Sequence, residues 1–180
     1  MGVLIDEAYH DFVPPASTCT TWVGHAASDP RLLVTRTLSK VYGMAGLRVG
    51  YAVASTDLSK RLAQRRLPMG VNIVAARAAK AAINDQPYVQ KILARVADDR
   101  QEFYNQANAR MLRSLDSVTN FVMLKTARLG TEVAEQLKEK GIFVASTYPG
   151  FEHYIRVSLG LPQDMKEFWR AWDAFMPHGM

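Results

Sequence analysis

The sequence predicts an α/β fold in two parts, and three observations predict it. Over the first 86 residues, apolar runs of strand length alternate with helical stretches. From Pro87 to about Leu115, apolar residues recur at spacings of three, four or seven, the mark of one long helix. After "DSVTN" (116–120) the elements become short strands and helices in turn, which reads as a small α+β unit.

Each element has its own signal. "VLIDEA" (3–8) is an apolar run ending in acids, which suits a buried strand whose C-terminal end carries a polar site. "DFVPPASTCTTW" (11–22) reads as a loop, with two prolines and several hydroxyl residues. "RLLVTRTL" (31–38) reads as a second strand and "RVGYAVAS" (48–55) as a third. "TDLSKRLAQRR" (56–66) predicts a surface helix, with Thr56 as N-cap and Asp57 in the first turn. "MGVNIVAARAAKAAIND" (69–85) is alanine-rich and predicts a helix after Gly70. Val89, Ile92, Leu93, Val96, Phe103, Ala107, Met111 and Leu115 lie near one face of the long helix. "FVMLKT" (121–126) predicts a strand, and "GTEVAEQLKEKG" (130–141) a helix whose second glycine, Gly141, ends it. "IFVAST" (142–147) and "YIRVSLG" (154–160) predict two further strands. "PQDMKEFWRAWDAFM" (162–176) predicts a terminal amphipathic helix, with Pro162 and Asp164 near its start.

Composition narrows the class. Hydrophobic residues make up 48% and charged residues 22%, as in ordinary globular chains. Nothing approaches the roughly 18 consecutive apolar residues of a membrane span, and no signal-peptide pattern opens the chain, so no membrane partner is expected. Cys19 is the only cysteine, which excludes an internal disulfide and makes a reducing cytoplasm the expectation. The net charge is +5, but the basic residues are spread along helices rather than massed in a tract, so no nucleic-acid partner is expected.

Four residues invite chemistry: Asp6 and Tyr9 in "DEAYHDF", Lys40 and Arg48 in "TRTLSKVYGMAGLRVGY". Each alone has an ordinary reading. A strand-end aspartate caps a loop, a tyrosine edges a core, a lysine is solvated, and an arginine joins a salt bridge. Their order and spacing carry the signal.

These two segments, followed by "IRVSLG", resemble the class I/II aminotransferases of fold type I, which use pyridoxal 5′-phosphate. The nearest branch is the histidinol-phosphate aminotransferase-like group. The resemblance runs from residue 3 to about 175 and covers the C-terminal portion of such an enzyme. It implies residues 1–86 as a partial cofactor-binding large domain with part of its sheet. It further implies 87–116 as a bridging helix and 117–180 as a small α+β C-terminal domain.

The resemblance also implies roles. Lys40 would form a Schiff base with the cofactor aldehyde and later shuttle the substrate proton, since a lysine amine is a tunable nucleophile. Asp6 would keep the pyridine nitrogen protonated, which makes the ring an electron sink. Tyr9 would hydrogen-bond the ring's 3′ oxygen. Arg48 would hold the cofactor phosphate by a bidentate fork, with Thr37 and Ser39 as hydroxyl donors. Gly43 and Gly46 would give the intervening loop its sharp turn. Arg156 would grip the substrate carboxylate, and Asn120 would support the strand beside it.

There are departures from the family pattern. Its histidinol-phosphate branch carries an arginine in a "G-I-x-V-R" stretch, where this chain has "GIFVAS" with Ala145, which points to a substrate without that phosphate. "PMGVN" (68–72) is looser than the usual proline-aromatic-asparagine run. The N-terminal half of such enzymes has no counterpart here, so the 180 residues alone are expected to lack transaminase activity. The expected substrates are an amino acid and a 2-oxo acid, the expected assembly of the complete protein is a homodimer, and no metal is expected. The alternatives are a decarboxylase of the same fold and a non-catalytic module that senses the cofactor.

Overall fold

The computed structural model describes residues 1–175. It separates into two compact units, Met1–Leu93 and Ala94–Met180, with the boundary inside the long helix.

The first unit is built on a three-stranded sheet. Strand β1 (Val3–Asp6) pairs in parallel with β2 (Leu32–Thr37), and β2 pairs antiparallel with β3 (Gly50–Ala54), in the order β1-β2-β3. The register sets Asp6 opposite Thr35 and Thr37 opposite Gly50. A parallel pair needs a crossover, and residues 7–31 supply it. Residues 11–22 are expected as a loop. The structure adds a 3₁₀ turn at His10–Phe12 and a short unforeseen helix α1 (Val23–Ala26). Ala26 of α1 is fully buried with Leu32 and Val34 of β2, which forms the sheet-side core.

Helix α2 (Thr56–Ala63) starts one residue earlier than expected, because Ser55 rather than Thr56 caps it by accepting from the Leu58 amide at 3.4 Å. Helix α3 (Ile73–Asn84) starts after Asn72, whose side chain accepts from the Ala75 amide at 2.8 Å.

Helix α4 (Gln86–Ala109) enters the second unit and is shorter than its apolar pattern. Phe103 and Ala107 are buried, whereas Met111 and Leu115 are exposed. The chain leaves the helix through a left-handed Met111 (φ 56°), with Leu112 N donating to Ala107 O at 2.9 Å and Met111 N to Asn108 O at 2.9 Å. That is the Schellman pattern with a methionine where glycine is favoured. Helix α5 (Gly130–Glu139) ends in the same way through Gly141 (φ 80°).

Strands β4 (Phe121–Lys125) and β5 (Tyr154–Ser158) pair antiparallel, and Leu159 N donates to Asn120 O at 2.9 Å beside them. The strand expected at 142–147 does not form. Only Ala145 bridges Arg156, because the neighbouring residues 142–144 and 146–147 make no further ladder. Helix α6 (Pro162–Phe175) closes the unit, and the Met176 expected at its end lies outside the described residues. Its Phe168, Trp169 and Trp172 pack with Phe103, Val122, Leu124, Leu137 and Ile155 in one core. Among the described residues, no helix is long and apolar enough to cross a membrane.

Candidate functional site

The first unit brings most of the expected residues to one end of its sheet. Asp6 closes β1, and Lys40 follows the last residue of β2, Thr37, by three positions. Both therefore sit at the carboxyl ends of neighbouring parallel strands, where open α/β sheets place their ligands. Asp6 Oδ1 accepts from the Ala8 amide at 3.1 Å and from the Thr35 hydroxyl at 3.2 Å. The ordinary loop-capping role of a strand-end aspartate is therefore filled. Both bonds fall on one oxygen, Oδ1.

Lys40 is half-buried rather than solvated. Its Nζ lies over the Tyr9 ring, 5.1 Å from the centroid, within reach of a cation–π attraction. Tyr9 also neighbours buried Phe12, with ring centroids 6.3 Å apart. Thr37 Oγ1 accepts from the Ser39 amide at 3.0 Å, which shapes the turn into Lys40.

The glycine-rich loop differs from expectation in detail. Gly43 is left-handed (φ 67°), as a sharp turn requires. Gly46 is not among the left-handed glycines, and open space surrounds it, so the turn does not need glycine there. Arg48 itself is left-handed (φ 52°), and its Nη1 donates to Ala45 O at 2.8 Å. The close approach falls instead at Gly50, where an added Cβ would lie 2.7 Å from the Arg36 carbonyl oxygen.

A polar cluster that no sequence motif announces lies behind these residues. Glu7 is buried, and Arg36 Nη2 and Nε donate to its Oε2 at 2.7 and 2.9 Å. The Thr21 hydroxyl donates to Oε2 at 2.8 Å, and the Trp22 amide to Oε1 at 2.7 Å. Arg36 Nη1 reaches Asp11 at 3.3 Å. Burial pushes the Glu7 carboxyl up, but the Trp22, Thr21 and Arg36 bonds outweigh it and hold it below its ordinary value. Burial raises Asp11 despite the opposing Arg36 charge. The Tyr42 phenol is also raised, by burial first and then by Asp11. The available signal was the pair Asp6–Glu7: adjacent strand residues face opposite ways, so one of the two acids had to be buried or paired.

Arg156 lies in the second unit, on β5 opposite Met123. Its guanidinium carbon stands 3.9 Å from the Phe121 ring centroid, and its backbone bridges Ala145. It is half-buried. Among the described residues, no three His, Cys, Asp or Glu side chains gather as a metal site.

The donor set of the first unit is an amine, a carboxylate, a phenol, two hydroxyl residues and a guanidinium. Chemically it fits a ligand that carries an aldehyde, a basic ring nitrogen, a ring oxygen and a phosphate.

The comparisons with known proteins agree in kind. The model of the family described as aminotransferase class I and II matches residues 1–171. Histidinol-phosphate aminotransferase 2 of Carboxydothermus hydrogenoformans is 34% identical over 167 residues, which cover 92% of this chain and 46% of that protein. Histidinol-phosphate aminotransferase 1 of Thiobacillus denitrificans is 37% identical over 166 residues, covering 88% and 41%. The histidinol-phosphate aminotransferase of Sinorhizobium meliloti, solved in complex with pyridoxal-5′-phosphate, superposes with a TM-score of 0.86 at 26% identity, over 94% of this chain and 47% of that one. A decarboxylase from Sulfurospirillum multivorans shares the fold, with a TM-score of 0.82 at 21% identity over 97% and 52%. The chain spans about half the length of the curated relatives it matches.

Proposed function

The chain belongs to the class I and II aminotransferases, and from that premise we propose that it carries the cofactor lysine and the substrate arginine of an enzyme that moves an amino group between an amino acid and a 2-oxo acid. Bound there, pyridoxal 5′-phosphate supplies an aldehyde and an electron-withdrawing ring. Lys40 Nζ offers the amine for that aldehyde and afterwards carries the substrate proton. Asp6 keeps one oxygen on Ala8 and Thr35, which would leave the other for the protonated ring nitrogen. Tyr9 donates to the ring oxygen. Thr37, Ser39 and Arg48 take the phosphate. Arg156 holds the substrate carboxylate by the same fork chemistry.

The observation that carries this reading is Lys40 Nζ 5.1 Å from the Tyr9 ring centroid, beside the strand that ends in Asp6. The substrate is an amino acid without a distal phosphate. Ala145, which bridges Arg156, supplies no second cation for one.

The test is Lys40→Ala in the complete protein, of which this chain is a part, assayed with amino acids and 2-oxoglutarate. Amino transfer should fall by about 10³-fold or more, as for loss of a proton-transferring and nucleophilic group. Transfer at the unaltered rate would overturn the assignment. Carbon dioxide released in place of a 2-oxo acid product would assign the same residues to decarboxylation. Arg156→Ala should raise KM for amino acids with little change in cofactor affinity.

A further inference from the structure

We infer that Arg36, gripped by Glu7, is a positioning residue that holds the Asp6–Tyr9 segment in place against Lys40. This rests on the aminotransferase reading of the site.

The strand geometry separates two jobs. At the end of β1 the side chain of Asp6 and that of Glu7, the next residue, take opposite faces, and along β2 Arg36 faces away from Thr35 and Thr37. The front face holds Asp6 with the Thr35 hydroxyl on it. The back face holds Glu7 and Arg36, joined by two hydrogen bonds. Glu7 is one residue from Asp6 and two from Tyr9. Arg36 is one residue from Thr37 and four from Lys40. A shift of either partner therefore moves a front-face group.

The cluster is built to resist such a shift. Glu7 is the one buried acid or base among the described residues. Four donor contacts, from Arg36 twice, Thr21 and the Trp22 amide, satisfy its carboxylate. Arg36 also donates to Asp11 and to the Thr21 hydroxyl. Such a network costs several kcal/mol if half-broken, so its geometry is over-determined. A hydrophobic pair would fill the same space but would fix no direction. The fork of an arginine fixes two hydrogen bonds in one plane. The crossover containing Thr21 and Trp22 is tied to the strand ends by the same carboxylate.

Capture of cofactor at Lys40 reads this out without any turnover. Lys40 Nζ condenses with the aldehyde of pyridoxal 5′-phosphate, losing water, and borohydride adds hydride to the resulting carbon–nitrogen double bond. Mass spectrometry then gives the ratio of labelling at Lys40 to labelling at exposed Lys60. In the unaltered protein Lys40 should dominate. Arg36→Leu should lower the ratio about tenfold, and Arg36→Lys should restore part of it. Amide exchange of β2 should keep its protection in each. An unchanged ratio in a folded Arg36→Leu protein overturns the proposal. If Arg36→Leu fails to fold, Glu7→Gln decides by the same ratio, since it keeps one acceptor and removes the charge. Loss of β2 protection in both variants assigns the cluster to folding alone and also overturns it. No preference for Lys40 in the unaltered protein counts instead against the aminotransferase reading.

Discussion

The two units solve the problem of burial differently. Residues 94–175 bury twelve residues in one contiguous core, with three aromatic rings of α6 at its centre. In residues 1–93 nine hydrophobic residues are buried, and the sheet-side cluster holds only three of them, Ala26, Leu32 and Val34. Apolar residues there face solvent, among them Leu4 at 61%, Leu67 at 78% and Ile73 at 68%. Charge divides in the same way. The first unit has eleven Lys and Arg against six Asp and Glu, and the second has eleven against eleven, so the whole +5 lies in the unit that holds Lys40. The lesson is a division of labour. One unit covers its own core. The other holds reactive groups in place with polar bonds and offers a positive field to anionic ligands.

The largest effect should come from breaking the better-packed side. Trp172 is 1% exposed and touches Phe168, Trp169 and Phe175. Trp172→Ala should cost about 4 kcal/mol in urea unfolding of the second unit. Leu67→Ala in the first unit should stay within about 0.5 kcal/mol. Equal costs would mean that the exposed face of the first unit is covered in solution.

A smaller effect tests the polar side. Glu7→Ala removes one partner of a buried pair and should cost about 3 kcal/mol. Glu167→Ala removes an exposed partner of Arg170 in the second unit and should cost less than about 1 kcal/mol. The sign with pH follows. The folded Glu7 carboxyl titrates below its ordinary 4.5, so its stabilisation is full above that value. It is lost as pH falls through the folded pKa. Asp11 is raised and acts oppositely, since it weakens the fold most above its own pKa. Amide exchange should therefore show β1–β2 protection decreasing below about pH 4.5, with Glu7→Gln removing most of the dependence.

What was legible in the sequence follows the same division. Strands β2, β4 and β5 and helices α5 and α6 are visible because their periodicity is local and strong. Strand β1 forms, but not as the buried strand its apolar run predicts, since Val3 and Leu4 are 51% and 61% exposed. The front-face residues were visible because they lie in short contiguous motifs. Glu7 and Arg36 were not, because their partnership joins residues 29 apart and depends on strand pairing. The false strand at 142–147 has the right composition, but a strand exists only by its ladder, and Ala145 alone bridges a neighbour. The overlong α4 failed at one residue. Met111 and Leu115 fit the apolar spacing, but the chain turns at Met111. Nothing in a methionine announces a left-handed turn.

The smallest prediction uses that residue to compare the two units once more. Met111 (φ 56°) and Met69 (φ 54°) are both left-handed, and both are exposed, at 82% and 94%. A side chain with Cβ costs about 1–2 kcal/mol in this conformation. Glycine removes that cost but adds about 0.5–1 kcal/mol of unfolded-state entropy. The net gain for either change is therefore about 0.5–1 kcal/mol if the turn is fixed in the folded state. At Met111 it is fixed. The Leu112 and Met111 amides close the end of α4 onto Ala107 and Asn108, and Ala107 is part of the aromatic core. At Met69 the flanking residues 67, 71, 73 and 74 are exposed and bury little that would hold the turn. Met111→Gly should therefore raise the unfolding free energy of the second unit by the full amount, whereas Met69→Gly should leave the first unit unchanged within error. A gain of equal size at Met69 would mean that the 67–74 segment is held as firmly as the end of α4, and the contrast between a self-covered unit and an open one would not extend to that segment.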